Sequence, residues 1–185
     1  MPAFGGVVLT GGESRRMGRD KAFVSVAGVP MARRVADTLS AAGARSVMAV
    51  GGDLAGLRAL GLDARPDPRQ GDGPLGGLVT ALELAAEPVV AVLATDLAWV
   101  PPAVVVALVE QLGTDLAADV AAALTDRREP LCAAWRVDPC LDELAAAHLA
   151  GGRSVLLAMN RLAVADVPTD RDLLWNANTP EDLRH

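Results

Sequence analysis

The sequence predicts an α/β protein: a three-layer sandwich in which helices cover both faces of a mostly parallel sheet. Short apolar runs alternate with amphipathic helical segments along the chain, which is the pattern of βαβ units. The run Val89–Leu93 is apolar at every position, as is typical of a strand buried on both faces. Because ligands of such folds bind beyond the carboxyl ends of the strands, the loops there are the first candidates for function.

The predicted elements alternate from one end of the chain to the other. Gly43 ends the first helix, and Pro101 with Pro102 opens a later one. The predicted strands cover 4–9, 46–50, a short stretch that ends near Asp67, 88–94, 120–124, 131–137 and 162–167. The predicted helices cover 30–42, 54–60, 75–86, 101–112, 138–149 and 153–160. No linker, repeat or low-complexity block interrupts them, so we predict one domain over 1–185.

Composition and charge exclude several classes of protein. With 185 residues, 51% hydrophobic and 22% charged, the chain is long enough for a substantial core. A net charge of −6 leaves no overall positive field for nucleic acid or an anionic membrane. Cys132 and Cys140 form no CxxC pair and the histidines are scattered, so we expect no structural zinc. We find no signal peptide and no apolar stretch of ~20 residues, and therefore expect a cytoplasmic protein.

The stretch after the first predicted strand combines glycines with cations. Gly11 and Gly12 let backbone N–H groups approach an anion closely, and arginines including Arg16 follow within the same short segment. Lys21 is the only lysine in the chain, which favours a specific role for its compact ammonium. Neither the P-loop pattern nor GxGxxG is present. The stretch therefore predicts a phosphate cradle of another class, with a solvated surface loop as the alternative.

Candidate ligands follow other predicted strands. Asp96 comes after the apolar strand, where a carboxylate can hold Mg²⁺ together with substrate phosphates; the alternative is a cap for the helix that Pro101 opens. Asp67 can accept a hydrogen bond from a ribose hydroxyl or a base edge, although Asp-Pro also begins turns. The glycines from Gly73 to Gly77 either let the backbone approach a base or form a plain helix entry.

The end of the chain carries a second polar motif. Asn176 and Asn178 lie two residues apart on a segment that we predict to be extended, so their amides point the same way and can hold metal, phosphate or an acceptor. Thr179 and Pro180 then begin a helix. Glu129 lies either in an acceptor loop or at the end of a solvated charge run.

Residues 9–21, which read Leu-Thr-Gly-Gly-Glu-Ser-Arg-Arg-Met-Gly-Arg-Asp-Lys, resemble the LxGGxSxRMGxDK signature of the molybdenum cofactor guanylyltransferases. These are MobA-like nucleotidyltransferases with a Rossmann-like fold of the nucleotide-diphospho-sugar transferase type. Further matches follow in the family's order over nearly the whole chain: Asp67, Gly73–Gly77, Asp96, Glu129–Leu131 and Asn176–Leu183.

The resemblance implies that GMP is transferred from GTP to the terminal phosphate of molybdopterin, with Mg²⁺ as cofactor and pyrophosphate as the second product. It implies Arg16, Lys21 and Asp96 as catalytic residues, Asp96 also as the metal ligand, and Asn176 with Asn178 at the acceptor. The implied nucleotide-binding residues are Leu9, Thr10, Gly11, Gly12, Lys21, Asp67, Gly73, Pro74, Leu75 and Asp96. Implied partners are proteins that deliver molybdopterin and mature molybdoenzymes. We expect a monomer.

The chain departs from the family's pattern at two places. The segment Leu97–Trp99 lacks the proline that usually follows the metal-binding aspartate two residues on. Gly51–Asp53 replaces an asparagine that contacts the nucleotide, so that contact must come from backbone or from Asp53. The start Leu-Thr-Gly-Gly favours guanylyl over cytidylyl transfer. The alternatives are a molybdopterin cytidylyltransferase, another small-phosphate nucleotidyltransferase and a noncatalytic nucleotide-binding domain; the missing GxGxxG disfavours a nicotinamide-dependent reductase.

Overall fold

The computed structural model describes residues 1–11 and 20–175, and in this part of the chain strands and helices alternate. The strands are β1 (Gly5–Leu9), β2 (Ser25–Val26), β3 (Val29–Pro30), β4 (Val47–Val50), β5 (Asp63–Arg65), β6 (Val89–Ala94), β7 (Val120–Leu124), β8 (Arg128–Arg136) and β9 (Val164–Pro168). The helices are α1 (Met31–Ala41), α2 (Leu54–Ala59), α3 (Gly73–Glu83), α4 (Pro102–Thr114), α5 (Val137–Leu149) and α6 (Val155–Met159). Two 3-10 turns cover Lys21–Phe23 and Arg171–Leu174.

Seven strands form one sheet in the order β5-β4-β1-β6-β8-β7-β9. All neighbouring pairs are parallel except those of β8, which is antiparallel to both β6 and β7. The sequence-based prediction of a mostly parallel α/β sheet is therefore confirmed, with one antiparallel strand inserted. A three-residue turn joins β7 to β8, which is too short for the crossover that a parallel pair needs.

Helices bury both faces of this sheet. Alternate residues of the central strands enter two different apolar clusters: Val8 packs toward α1 and α4, whereas Val7 packs toward α3, α5 and α6. Trp135 of β8 is fully buried on the second side. This arrangement explains why Val89–Leu93 is apolar at every position, since no face of β6 meets solvent. The two covered faces leave the ends of the strands as the place for a ligand.

The predicted boundaries differ from the structure in a few places. The strand that precedes Asp67 ends at Arg65, because Pro66 has no N–H with which to continue the ladder. Helix α3 begins at Gly73 rather than at residue 75, since proline fits within the first turn of a helix. The sequence reading also missed the small hairpin of β2 and β3 and both 3-10 turns. None of the helices described here is long and apolar enough to cross a membrane.

Candidate active site

A cavity of about 920 Å³ lies at the carboxyl ends of β1, β4 and β6. Strand β1 lies between β4 and β6 in the sheet, so this is the point at which successive connections leave in opposite directions. That is where open α/β sheets bind their ligands. This cavity brings together residues that are distant in the sequence. They come from the segment after β1, from the segment around Asp67 and from the segment around Asp96. The predicted residues that line it are Leu9, Thr10, Gly11, Lys21, Asp67, Gly73, Pro74 and Asp96.

The segments that follow β1 and β4 are held together by hydrogen bonds and by close backbone contact. The hydroxyl of Thr10 lies 3.0 Å from the carbonyl oxygen of Val50 and 2.8 Å from that of Gly51, and donates to them. Gly51 has a φ of +83°, and a Cβ atom there would lie 3.2 Å from both N and Cα of Gly11. Only glycine gives this backbone conformation without strain at such a close approach. The Thr10 hydroxyl therefore holds the loop, whereas the backbone of Gly11 faces the cavity.

Lys21 and Asp96 approach each other across the cavity. Lys21 begins the 3-10 turn that Asp20 caps by accepting a hydrogen bond from the N–H of Ala22. Asp96 follows β6, and its Oδ2 lies 3.7 Å from the Lys21 Nζ. The backbone N–H and the hydroxyl of Thr95 both donate to the carbonyl of Leu9, at 3.2 and 2.8 Å. A cation and a carboxylate, each partly exposed, are thus fixed relative to the end of β1.

Buried side chains and hydrogen bonds from α1 hold the loop that follows Asp96. Leu97 and Ala98 are buried, and helix α1 holds the loop from behind. The Arg34 guanidinium donates to the carbonyl of Ala98 at 3.1 Å, and the Thr38 hydroxyl donates to that of Val100 at 3.2 Å. Asp96 is not the cap of α4, which begins after Pro101 without a side-chain cap. Its carboxylate therefore faces the cavity and does not cap the helix.

Asp67 forms part of the opposite side of the cavity. Its Oδ1 accepts hydrogen bonds from the Arg69 backbone N–H at 3.0 Å and from the Thr80 hydroxyl at 2.7 Å. Its Oδ2 faces the first turns of α3, where a Cβ atom at Gly77 would lie 3.5 Å away. Because Gly77 carries no side chain, that oxygen borders the open space of the cavity. One oxygen thus anchors Asp67 and the other remains for a ligand.

The beginning of α3, which follows Asp67 in the sequence, contributes backbone rather than side chains to the cavity. Gly73 has a φ of +78°, and a Cβ atom there would lie 3.2 Å from the carbonyl oxygen of Arg153. Gly73 and Pro74 line the cavity as predicted. Leu75 stays a prediction: its side chain is fully buried in the core, and its N–H donates to the Arg153 carbonyl at 3.4 Å. The motif mixes residues that face the cavity with a residue that anchors the helix.

Other predicted site residues lie outside the described part of the chain: Gly12, Arg16, Asn176 and Asn178. The sequence reading also missed several lining residues: Asp20, Ala22, Val50, Gln70, Gly71, Ala94, Thr95 and Leu131. The sequence could have indicated Gln70 and Gly71, since they lie between the predicted site residues Asp67 and Gly73. Leu131 had a weaker one, because its position depends on the direction of β8. Asp53, the suggested replacement for the missing asparagine, lines the cavity and also caps α2 by accepting from Ala55 N–H at 3.1 Å.

The described residues of the cavity fit a metal that a substrate helps to hold. Within residues 1–11 and 20–175, no three His, Cys, Asp or Glu side chains are grouped so that they could hold an ion. Asp96 is a single hard ligand beside a lysine that can pair with phosphate. Magnesium in nucleotide sites is commonly held by one or two carboxylates plus substrate phosphates and water. The donor set is therefore compatible with a divalent ion that arrives with a nucleotide.

A lysine beside a carboxylate, next to close-packed glycine backbone at the switch point of an α/β sheet, is typical of proteins that bind and process the phosphate groups of nucleotides. Residues 6–164 match the family described as MobA-like NTP transferase domain. The chain belongs to this family and is a nucleotidyltransferase.

Relatives of known name agree with this assignment. A molybdenum cofactor guanylyltransferase from Rhodobacter capsulatus is 36% identical over 96% of this chain and 92% of its own length. A probable molybdenum cofactor guanylyltransferase from Natronomonas pharaonis is 31% identical over 96% of this chain and 94% of its own. The crystal structure of molybdopterin-guanine dinucleotide biosynthesis protein A from Archaeoglobus fulgidus superposes with a TM-score of 0.79 and 29% identity, over 97% and 94% of the two chains.

A more distant structure shows the fold alone. A Mycobacterium tuberculosis protein, crystallised in complex with manganese, has a TM-score of 0.72 and 18% identity, with 98% of this chain and 96% of that chain covered.

Proposed function

We propose that the protein is a molybdenum cofactor guanylyltransferase, which transfers GMP from GTP to the terminal phosphate of molybdopterin. The observation that carries this proposal is the pair of Lys21 and Asp96, 3.7 Å apart in a cavity that Thr10 and Gly11 also line. A pure binding domain has no need to place an opposed cation and carboxylate where phosphates would lie. The names of the relatives that match nearly the whole chain support guanine and molybdopterin as the substrates.

The chemistry requires positioning more than proton transfer. The acceptor phosphate is already an oxyanion at neutral pH, so no strong general base is needed. A bond forms between its oxygen and the α-phosphorus of GTP while the bond from that phosphorus to the pyrophosphate oxygen breaks. Lys21 neutralises negative charge on the phosphates, and the Gly11 backbone lies beside them. Arg16, which lies outside the described residues, is proposed to share the charge with Lys21.

Asp96 is the proposed ligand of Mg²⁺. When bound, the ion neutralises phosphate charge and helps to align the α-phosphate with the acceptor. The carboxylate of Asp96 is 30% exposed at the cavity, so it can reach a substrate-bound ion without unfolding the loop. Asp67 and the Gly73–Pro74 backbone are proposed to hold the nucleoside, whereas Asn176 and Asn178 are proposed to hold the acceptor.

The remaining parts of the proposal concern context. We propose that the chain acts as a single domain and a monomer in the cytoplasm. Proteins that deliver molybdopterin and that mature molybdoenzymes are its proposed partners. The partner proteins are implied by the family resemblance, whereas the single domain and the cytoplasm were predicted from the sequence itself.

The decisive experiment measures nucleotide transfer directly. Purified protein is incubated with Mg²⁺, molybdopterin and GTP, CTP or ATP in turn, and both pyrophosphate and the dinucleotide product are quantified. The proposal expects a dinucleotide and an equal amount of pyrophosphate with GTP, and neither product when molybdopterin or Mg²⁺ is omitted. Preference for CTP would move the protein to cytidylyl transfer. No product with any nucleotide, despite nucleotide binding, would favour the noncatalytic alternative.

A further inference from the structure

A chain of hydrogen bonds behind Asp67 runs from the cavity to the surface of α3. The hydroxyl of Thr80 donates to Asp67 Oδ1 at 2.7 Å and accepts from Arg69 Nη1 at 3.0 Å. Arg69 in turn grips Glu83 with two hydrogen bonds, both of 2.7 Å. Thr80 is 2% exposed, so water does not compete for its hydroxyl. The chain therefore connects a cavity carboxylate to a buried threonine and a surface ion pair.

Arg69 attracts the Asp67 carboxylate by charge, but the hydrogen bonds of its guanidinium go to Thr80 and Glu83. Its fork is directed to the carboxylate of Glu83, and the hydrogen bond to Glu83 is the main cause that raises the pKa of Arg69 above its ordinary value. Its third contact is with the oxygen of Thr80 rather than with the Asp67 carboxylate. Without the threonine hydroxyl, the guanidinium and Asp67 would lack the group that separates and orients them.

The two oxygens of Asp67 have different tasks. A carboxylate oxygen has two lone-pair directions, and those of Oδ1 are taken by the Arg69 N–H and the Thr80 hydroxyl. The described part of the chain offers no hydrogen-bond donor to Oδ2, which faces Gly77 and the cavity. Some nucleoside groups carry two neighbouring hydrogen-bond donors and need both oxygens of a carboxylate as acceptors. Asp67 therefore cannot pair with both donors of such a group. Contact with a ligand must run through Oδ2 alone.

We propose that Thr80 is a positioning residue, which holds Asp67 so that Oδ2 accepts a hydrogen bond from one N–H or O–H group of the bound nucleoside. This inference rests on the proposed function in so far as the ligand is a nucleoside triphosphate. It does not depend on which base the enzyme selects. Its consequence is that part of the nucleotide affinity depends on a side chain that does not touch the nucleotide.

The test compares Thr80→Val with Thr80→Ser. Valine keeps the shape of threonine and removes the hydroxyl, whereas serine keeps the hydroxyl. Binding to each variant is measured by calorimetry with Mg²⁺ and whichever of GTP, CTP and ATP binds the wild-type chain most tightly. We expect Thr80→Val to weaken binding by about tenfold or more, and Thr80→Ser to bind within about threefold of wild type. In turnover assays the loss should appear in KM, with kcat little changed.

A double-mutant cycle separates positioning from general destabilisation. In an Asp67→Ala background the Thr80 hydroxyl has no carboxylate to orient, so Thr80→Val should cause no further loss of affinity. Equal losses in both backgrounds, or wild-type affinity in Thr80→Val, would overturn the proposal. A wild-type chain that binds CTP best would overturn the proposed guanine specificity while Thr80 is still tested with CTP. A chain that binds no nucleotide would overturn both.

Sugar analogues then identify the donor. For a chain that prefers GTP, the effect of Thr80→Val is measured with 2′-deoxy-GTP and with 3′-deoxy-GTP. If the contact is to a ribose hydroxyl, one analogue binds wild type and Thr80→Val equally. If the contact is to the base, both analogues retain the full loss. Either pattern supports the single contact.

Discussion

The Lys21 ammonium lies 3.7 Å from Asp96 Oδ2 while both side chains remain partly open to the cavity. An ion pair with this exposure contributes little to folding, because water and salt screen it. The proposed roles, the ammonium for phosphate and the carboxylate for a divalent ion, require this partial exposure. Mutations of this pair should affect catalysis much more than folding.

Replacing Asp96 with asparagine should abolish the metal-dependent part of nucleotide binding. Wild type with Mg²⁺ and GTP at 100 times the dissociation constant should gain ~2.7 kcal/mol in unfolding free energy, and Asp96→Asn should lose most of that gain. Without nucleotide the two proteins should unfold within about 1 kcal/mol of each other. Asp142→Asn, at an exposed position of α5 away from the cavity, is the matched control. An unchanged metal-dependent shift in Asp96→Asn would contradict the metal assignment.

Replacing Lys21 with alanine should lower kcat by about a hundredfold or more, the usual effect of removing one group that stabilises transition-state charge. Lys21→Arg should recover only part of the rate, because the planar guanidinium does not fit a site built around a compact ammonium. Single-turnover transfer at saturating GTP is the measurement, with unfolding in urea as the control for folding. If Lys21→Ala turned over at the wild-type rate, Lys21 would have no part in the mechanism.

Replacing Gly77 with alanine should separate stability from binding. The added Cβ would lie 3.5 Å from Asp67 Oδ2 and 3.6 Å from Leu9 Cδ2, which are ordinary contacts, so the nucleotide-free protein should fold. Alanine should even stabilise α3 by roughly 0.5–1 kcal/mol. The methyl group nevertheless covers the oxygen that we assign to the nucleoside, and affinity for GTP should fall about tenfold. A stable variant with undiminished affinity would place the nucleoside elsewhere.

The two buried thiols should make the protein sensitive to alkali. Burial raises the pKa of Cys132 and of Cys140 from 9.0 to about 12. Each thiol therefore ionises more readily in the unfolded chain than in the folded one. Their contribution to stability is complete below pH 9 and is lost as the pH rises from 9 to 12, with a slope of up to about 1.4 kcal/mol per pH unit for each thiol.

Urea unfolding at pH 8, 9.5 and 10.5 measures this slope. Cys132→Ala is the comparison, because it should be less stable than wild type at pH 8 yet lose stability less steeply above pH 9. In the native protein both thiols should also resist alkylation at pH 8. Parallel pH profiles for the variant and wild type would contradict the assigned cause.

The sequence was most informative where chemistry and strand ends coincide. Lys21, Asp67 and Asp96 follow elements that end at one edge of the sheet, so they could be placed together from the chain alone. Thr80 could not, because its importance depends on a hydrogen bond to a loop 13 residues earlier. Its only sequence signal is that it is a polar residue on a buried helical stretch. Leu75 shows a second difficulty, since membership of a motif does not reveal whether a side chain faces the cavity or, as here, the core.

The hydrophobic pattern also could not predict the direction of β8. A strand that is buried on both faces reads the same whichever way it runs, and β8 is apolar along Leu131–Trp135. Only the three-residue turn between β7 and β8 carried the information. That turn lies in the charged stretch 125–127, next to Glu129, for which the sequence leaves both an acceptor loop and a solvated charge run open. Arg128 and Glu129, at the end of that stretch, belong to the strand itself.

Because β8 is antiparallel to its neighbours, the two sides of the cavity differ in how readily their sequences can change. Leu93 of β6 pairs with Cys132, so the beginning of β8, with Leu131 in the cavity, adjoins the carboxyl end of β6. The hairpin that precedes Leu131 can change in length or composition while the loop after β1 stays as it is. Changes confined to this hairpin would therefore alter the wall of the cavity beside Leu131 and leave the carboxyl ends of β1 and β6 in place.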